Sequence, residues 1–230
     1  MAVMMSIKLP LLATVITVSA FAANPRPHII IMLADDLGYS DVSYHSSVSG
    51  SVIKTPNIND LAKNGVTLEN YYVQPTCTPT RSQLLTGRYQ IHTGLMHGVI
   101  QPPQPSCIPL NETLLPEIMK DYGYSTHIVG KWHLGMYKPA CLPTERGFDS
   151  HFGILLGAGK YYSHTYSYNL KAEGVTMEGK DFRFTTDGVD DDKVQETYKG
   201  IYATTAYVER VKEIIDETAE SSSVSYSLRY

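Results

Sequence analysis

The segment Cys77-Thr78-Pro79-Thr80-Arg81 sets a thiol just ahead of a proline-initiated helix, with a guanidinium one turn further on. Helix N-termini attract anions through unpaired N–H groups and the helix dipole. A thiolate there is stabilised, so a cysteine nucleophile is one reading on local physics. A buried, inert thiol is the plainer one. Asp35-Asp36 offers two hard oxygen ligands of the kind that hold a divalent cation, although an isolated Asp pair more often makes a turn or a cap. Lys131-Trp132-His133 adds a cation and an imidazole, a group that taken alone reads as the surface end of a strand.

The elements around these groups give them a common place. His28 to Ala34 (HIIIMLA) is a continuous apolar, β-branched run, the pattern of a strand buried on both faces of a parallel sheet, and it ends at Asp35-Asp36. Thr55-Pro56 through Asn64, closed by Gly65, reads as a short helix, as do Pro79 to Thr86 before Gly87 and Thr113 to Tyr122 before Gly123. Tyr124 to Val129 (YSTHIV) reads as a second strand, leading into Gly130-Lys131-Trp132-His133. Alternating strands and helices predict βαβ units and a largely parallel sheet flanked by helices. In such α/β folds ligands bind outside the carboxyl ends of the strands, where Asp35, Asp36, Lys131 and His133 all fall.

Residues 160 to 200 are expected to form an irregular surface excursion, with His164 exposed and Asp190-Asp191-Asp192 a solvated loop, since that run lacks the spaced oxygens and glycine of a calcium loop. A further helix is expected near Thr205, with Tyr207, Val208, Val211, Ile214 and Ile215 on one face. The domain pattern stops after Asp216, and residues 217–230 read as a frayed tail.

At 43% hydrophobic and 18% charged over 230 residues, the chain can bury one sizeable core. A net charge of −4 and the absence of any Lys/Arg run exclude nucleic acid as a partner class. The 17 tyrosines suit a core or a sugar-binding surface equally well. Lys8, the apolar run Leu9 to Ala23 and the small-x-small site Ala20-Phe21-Ala22 read as an export signal over residues 1–23. The run is shorter than the roughly 20 residues that span a bilayer, so no membrane anchor is expected. Residues 24–216 then form the folded part of an exported protein in oxidising surroundings. Three cysteines, Cys77, Cys107 and Cys141, leave one without an internal partner. Asn111-Glu112-Thr113 is a glycosylation sequon, placing Asn111 as a candidate acceptor.

The segment CTPTRSQLLTGR resembles the signature of the sulfatases, whose C-x-P-x-R core directs oxidation of the cysteine to formylglycine during export. The likeness extends from about His28 to Asp216 through HIIIMLADDLGYSDV, YQIHTGL, VGKWHLGM and LPTERGFDSHFG, which resemble arylsulfatase B and its near relatives. It implies an α/β fold of the alkaline-phosphatase-like superfamily. It also implies that Cys77 is the formylglycine precursor, that Asp35 and Asp36 with Cys77 are calcium ligands, and that Arg81, Lys131 and His133 are catalytic. In the family one hydroxyl of the hydrated aldehyde attacks sulfur and the other later expels sulfate, which solves the release of a stable ester. Calcium polarises the sulfate, Arg81 sits near the formylglycine, Lys131 binds sulfate oxygens, and His133 holds the second hydroxyl. Cys107 and Cys141 map on a family disulfide, and Cys77 is the cysteine consumed by modification. Pro103 stands where close relatives carry a further cysteine.

The resemblance further implies a lysosomal or extracellular protein, a formylglycine-generating enzyme as a partner during export, and a sulfated glycan or aryl sulfate as substrate, with sulfated galactosamine in glycosaminoglycans favoured. The family's other calcium ligands, an Asp-Asn pair, together with a second lysine and a histidine acid, lie beyond residue 230. The fold is therefore expected to be incomplete on its C-terminal side. Two classes compete: a sulfatase, and a truncated, catalytically inactive fragment acting at most as a binding module for sulfated glycans or a modifying enzyme. Phosphatases and phosphodiesterases of the same superfamily use serine or threonine and lack C-x-P-x-R.

Overall fold

The computed structural model describes residues 26–45, 53–170, 175–180, 182–185, 197–221 and 224–229. The expected export segment 1–23 and the Asp190 to Asp192 run lie outside these described residues. No helix among the described residues is long and apolar enough to cross a membrane.

Strand β1 (Ile29–Met32) opens the fold, followed by helix α1 (Pro56–Asn64), which has Pro56 in its first turn. Helix α2 (Cys77–Thr86) begins at Cys77 itself, with Thr76 as N-cap, and stops at Gly87 in the left-handed conformation. A single-turn helix α3 (Gln90–Thr93) and helix α4 (Leu115–Asp121) follow; the Glu117 carboxylate caps α4 by accepting from the Leu114 N–H at 2.7 Å. Next come β2 (Tyr124–Val129), β3 (Ser150–Ile154), the antiparallel hairpin β4 (Thr165–Leu170) and β5 (Val175–Lys180), then β6 (Phe182–Thr185), helix α5 (Ala203–Ser221) and β7 (Val224–Arg229).

The main sheet has the order β1-β7-β2-β3-β6, parallel except for β6, which runs antiparallel to β3 at one edge. The parallel α/β expectation holds, and three details differ. The stretch 217–230, expected as a tail, carries the end of α5 and strand β7, which pairs with β1 on one side and β2 on the other. The alternation Val224-Ser225-Tyr226-Ser227-Leu228-Arg229 has the period of a strand, but two serines over so short a run disguise it. The 160–200 region contains the β4–β5 hairpin and β6 in place of wholly irregular chain. β1 alternates between half-buried and exposed instead of being buried on both faces, with Ile30 50% and Met32 61% exposed, because β1 is an edge strand.

Two apolar clusters lie on opposite faces of the sheet. Ile128 of β2 joins Leu85, Leu114, Trp132, Phe148 and Leu155 under α2 and α4, while its neighbour Val129 joins Phe152 and the α5 residues Ala206, Val211 and Ile214. Successive strand side chains point to opposite faces, so adjacent residues of β2 serve both cores. Of the expected α5 stripe, Val211 and Ile214 are buried, whereas Val208 and Ile215 are partly exposed.

The ladder between β2 and β3 continues beyond both strands: Gly130 donates to the Phe152 carbonyl at 2.7 Å, Trp132 to Ile154 at 2.9 Å and His133 to Leu155 at 3.1 Å. The segment carrying Lys131 and His133 is thereby held as firmly as the sheet. Gly153 makes this approach possible, since a Cβ there would lie 2.1 Å from the Gly130 carbonyl oxygen, and its φ of +150° is rarely adopted by other residues. The Trp132 indole N–H donates to the carbonyls of Gly135 and Cys141, and a disulfide joins Cys141 to Cys107.

Candidate active site

Cys77 enters the site from the first residue of α2, Asp35 and Asp36 from the turn after β1, and Lys131 from the extension of β2. The Lys131 ammonium donates to Asp35 Oδ2 at 2.8 Å and to Cys77 Sγ at 3.0 Å, and the Cys77 thiol reaches Asp35 Oδ1 at 3.5 Å. Lys131 is 2% exposed, and a buried ammonium of this kind needs a carboxylate partner to offset its desolvation. Asp36 takes a left-handed backbone conformation, φ +56°, which Asp tolerates better than most residues. This turn lets two consecutive carboxylates line one cleft.

Arg81 lies one turn along α2 from Cys77 and is buried; its guanidinium donates to the backbone carbonyl of Lys131. Thr78 Oγ1 donates to the His133 carbonyl at 2.9 Å and accepts from the Ile100 N–H at 3.2 Å. The start of α2 is therefore tied to the Lys131–His133 segment at two points. His133 lies behind Lys131, itself in a left-handed conformation with φ +54°. Its Nε2–H donates to the Ile100 carbonyl at 3.1 Å, which leaves Nδ1 as an acceptor, buried and without a hydrogen-bond partner among the described residues. Burial, and after it the positive charge of Lys131, lowers the His133 pKa from 6.5 to about 4. The ring is packed against Gly157, where a Cβ would come within 2.4 Å of His133 Cε1.

Two clefts meet at this group. One, of about 220 Å³, is bounded by Asp35, Asp36, Cys77, Thr80 and Arg81. The other, of about 350 Å³, runs from Asp35, Asp36, Cys77 and Lys131 to Lys160, Tyr161 and His164. His164, expected on the surface, is 2% exposed, with its Nε2–H donating to the Tyr198 carbonyl at 2.8 Å. Sequence reasoning missed Lys160 and Tyr161 as cleft residues; the tyrosine pair beside His164 was the available signal. The Asn111 side chain of the sequon is exposed, as glycan attachment requires.

The carboxylates of Asp35 and Asp36 are hard oxygen donors that fit calcium in type. In number they are two, against the six to eight oxygens that calcium takes, and one Asp35 oxygen already accepts from Lys131. No group of three or more His, Cys, Asp or Glu side chains among the described residues is arranged to hold a metal. Among the described residues, these two carboxylates are too few to complete the coordination of such an ion.

Residues 27–226 match the protein-family model described as Sulfatase. The chain is 52% identical over 194 residues to arylsulfatase J of Mus musculus, covering 84% of this chain and 30% of that relative. It is 40% identical over 143 residues to arylsulfatase A of Bos taurus, covering 61% of this chain and 28% of the relative. It is 37% identical over 153 residues to N-acetylgalactosamine-6-sulfatase of Rattus norvegicus, covering 63% and 28%. Among solved structures it resembles Ps i-CgsB in complex with k-i-k-neocarrahexaose, with a TM-score of 0.71 at 28% identity, covering 89% of this chain and 44% of that one. The chain thus spans less than a third of the length of these curated relatives.

Proposed function

Because the chain belongs to the sulfatase family, we propose that it is the part of a sulfuric ester hydrolase that carries the nucleophile, with Cys77 as the precursor of a formylglycine. The observation that carries this reading is the contact of Lys131 with both Cys77 and Asp35 at the mouth of α2. A cation, a carboxylate and an oxidisable cysteine meet there at a helix N-terminus that favours a sulfate anion.

Oxidised and hydrated, Cys77 would supply a geminal diol, one hydroxyl to attack sulfur and the other to release sulfate. Calcium held by Asp35 and Asp36, with an oxygen of the modified Cys77, would supply positive charge toward the sulfate. Lys131 binds a sulfate oxygen and offsets charge at the nucleophile. Arg81 orients Lys131 through its carbonyl and adds positive charge behind Cys77. His133 is neutral above about pH 4, so Nδ1 stays an acceptor for the second hydroxyl.

The substrate class proposed is a sulfated glycan, with galactosamine sulfate in a glycosaminoglycan favoured by the N-acetylgalactosamine-6-sulfatase likeness. Export to a lysosomal or extracellular compartment, with a formylglycine-generating enzyme acting on the way, completes the reading. Mass spectrometry of the peptide containing Cys77, from chain secreted by a host that modifies other sulfatases, tests it. Loss of the sulfur with gain of an aldehyde supports the proposal. Unmodified cysteine throughout would refute it.

A further inference from the structure

The cleft that starts at Cys77 ends on a wall the proposed chemistry does not use. Lys160 and Tyr161 line it, and both are exposed. The Tyr161 ring lies 5.3 Å from that of Tyr202, and the Tyr162 ring lies 5.6 Å from Tyr202, so three tyrosines cluster where Tyr161 lines the cleft. Their exposures of 61%, 59% and 41% show that they do not form a core.

The wall is nevertheless built rigidly. The Tyr161 carbonyl accepts from Ala203 N–H at 2.9 Å and the Tyr162 carbonyl from Gly200 N–H at 2.8 Å, which ties the turn to the start of α5. Buried His164 locks it from beneath through its bond to the Tyr198 carbonyl. Within the turn, Lys160 N–H donates to Thr165 and His164 N–H to Lys160, at 2.8 and 2.9 Å. Exposed aromatic rings on a braced backbone lose little freedom when a ligand packs on them. Rings with an apolar face and a polar tip suit a pyranose, which presents C–H groups on one face and hydroxyls around its rim.

We propose that Lys160 and Tyr161, with Tyr202 behind, form a saccharide subsite that takes the sugar adjoining the scissile sulfate in an anionic glycan. Tyr161 stacks on the pyranose ring, and Lys160 binds a carboxylate or second sulfate carried by the glycan. The inference rests on the sulfatase reading for what occupies the Cys77 end, and it narrows the substrate to polyanionic oligosaccharides over small aryl sulfates.

The test uses the full chain and two probes, a chondroitin 4-sulfate hexasaccharide and 4-nitrophenyl sulfate, with affinities measured by calorimetry. Tyr161→Ala and Lys160→Ala should each weaken hexasaccharide binding about five- to tenfold and change aryl sulfate binding less than about twofold. Tyr161→Phe should keep wild-type affinity, because stacking survives without the hydroxyl. Added salt should shrink the Lys160→Ala effect and leave that of Tyr161→Ala. Wild-type affinity in both alanine variants, equal losses for both probes, or no hexasaccharide binding by the wild-type chain would overturn the subsite. Hexasaccharide binding that depends on Tyr161 in a chain whose Cys77 is never modified would refute the hydrolytic reading and support the subsite.

Discussion

The Lys131 ammonium donates to the Cys77 sulfur across 3.0 Å, although 54 positions separate the two residues in sequence. Only the juxtaposition of the β2 extension with the first turn of α2 creates this contact, and the same ammonium holds Asp35. The site is therefore a three-way junction with one buried cation at its centre.

Removing that cation should deprive a partly buried carboxylate of its ion pair with Lys131. Lys131→Met is expected to cost about 2 to 4 kcal/mol, at or below the range for broken buried pairs because Asp35 is 24% exposed. Asp35→Asn in the Lys131→Met background should recover part of the loss. Urea unfolding of the two single variants and the double variant measures the coupling, and strictly additive losses would contradict the pairing.

His133 makes stability depend on pH in a defined window. Its folded pKa of about 4 lies below its ordinary value of 6.5, so between these values the unfolded chain binds more protons than the folded one. The contribution is fully present above pH 6.5, falls as pH drops through the window, and is lost below about 4, with a ceiling of roughly 3 kcal/mol. His133→Gln should flatten the stability profile between these pH values. An unchanged slope in urea titrations across the window would show that the ring titrates normally.

Calcium should bind through Asp35 and Asp36 with the weak affinity of a site poor in ligands, roughly 10⁻⁴ to 10⁻³ M. Millimolar calcium should then raise the unfolding temperature measurably, since a ligand at ten times its Kd adds about 1.4 kcal/mol. Asp36→Asn should abolish the shift. Asp36 is exposed, so this variant tests the ion without disturbing the fold.

The Cys107–Cys141 bridge closes a loop with a sequence separation of 34, for which the chain-entropy model gives roughly 3 to 4 kcal/mol. Differential scanning calorimetry with and without reductant should show a lower unfolding temperature on reduction. Because Cys141 is buried beside the Trp132 indole, tryptophan fluorescence should also change.

The candidate site residues stood out through the family resemblance of CTPTRSQLLTGR and VGKWHLGM and through their places at strand and helix ends, since each alone reads more plainly as an inert thiol, a turn or a strand end. What the sequence concealed is set by distant packing. β1 reads as doubly buried because its residues are all apolar, yet its edge position leaves Ile30 and Met32 exposed. His164 reads as a surface residue among polar neighbours, yet the chain around Tyr198 closes over it. The serine-rich alternation of β7 gained its meaning only from two strands about 100 and 200 residues upstream.

That last pairing fixes when the sheet can close. Among the described residues, Ile29 of β1 pairs in the main sheet with β7 alone, where it stands opposite Tyr226. At synthesis rates of roughly 5 to 20 residues per second, β1 waits on the order of 10 to 40 s for its partner strand to emerge. The seam between β1 and β2 must therefore stay open throughout elongation. During that interval the apolar β1 segment is a natural client for chaperones that shield nascent chains.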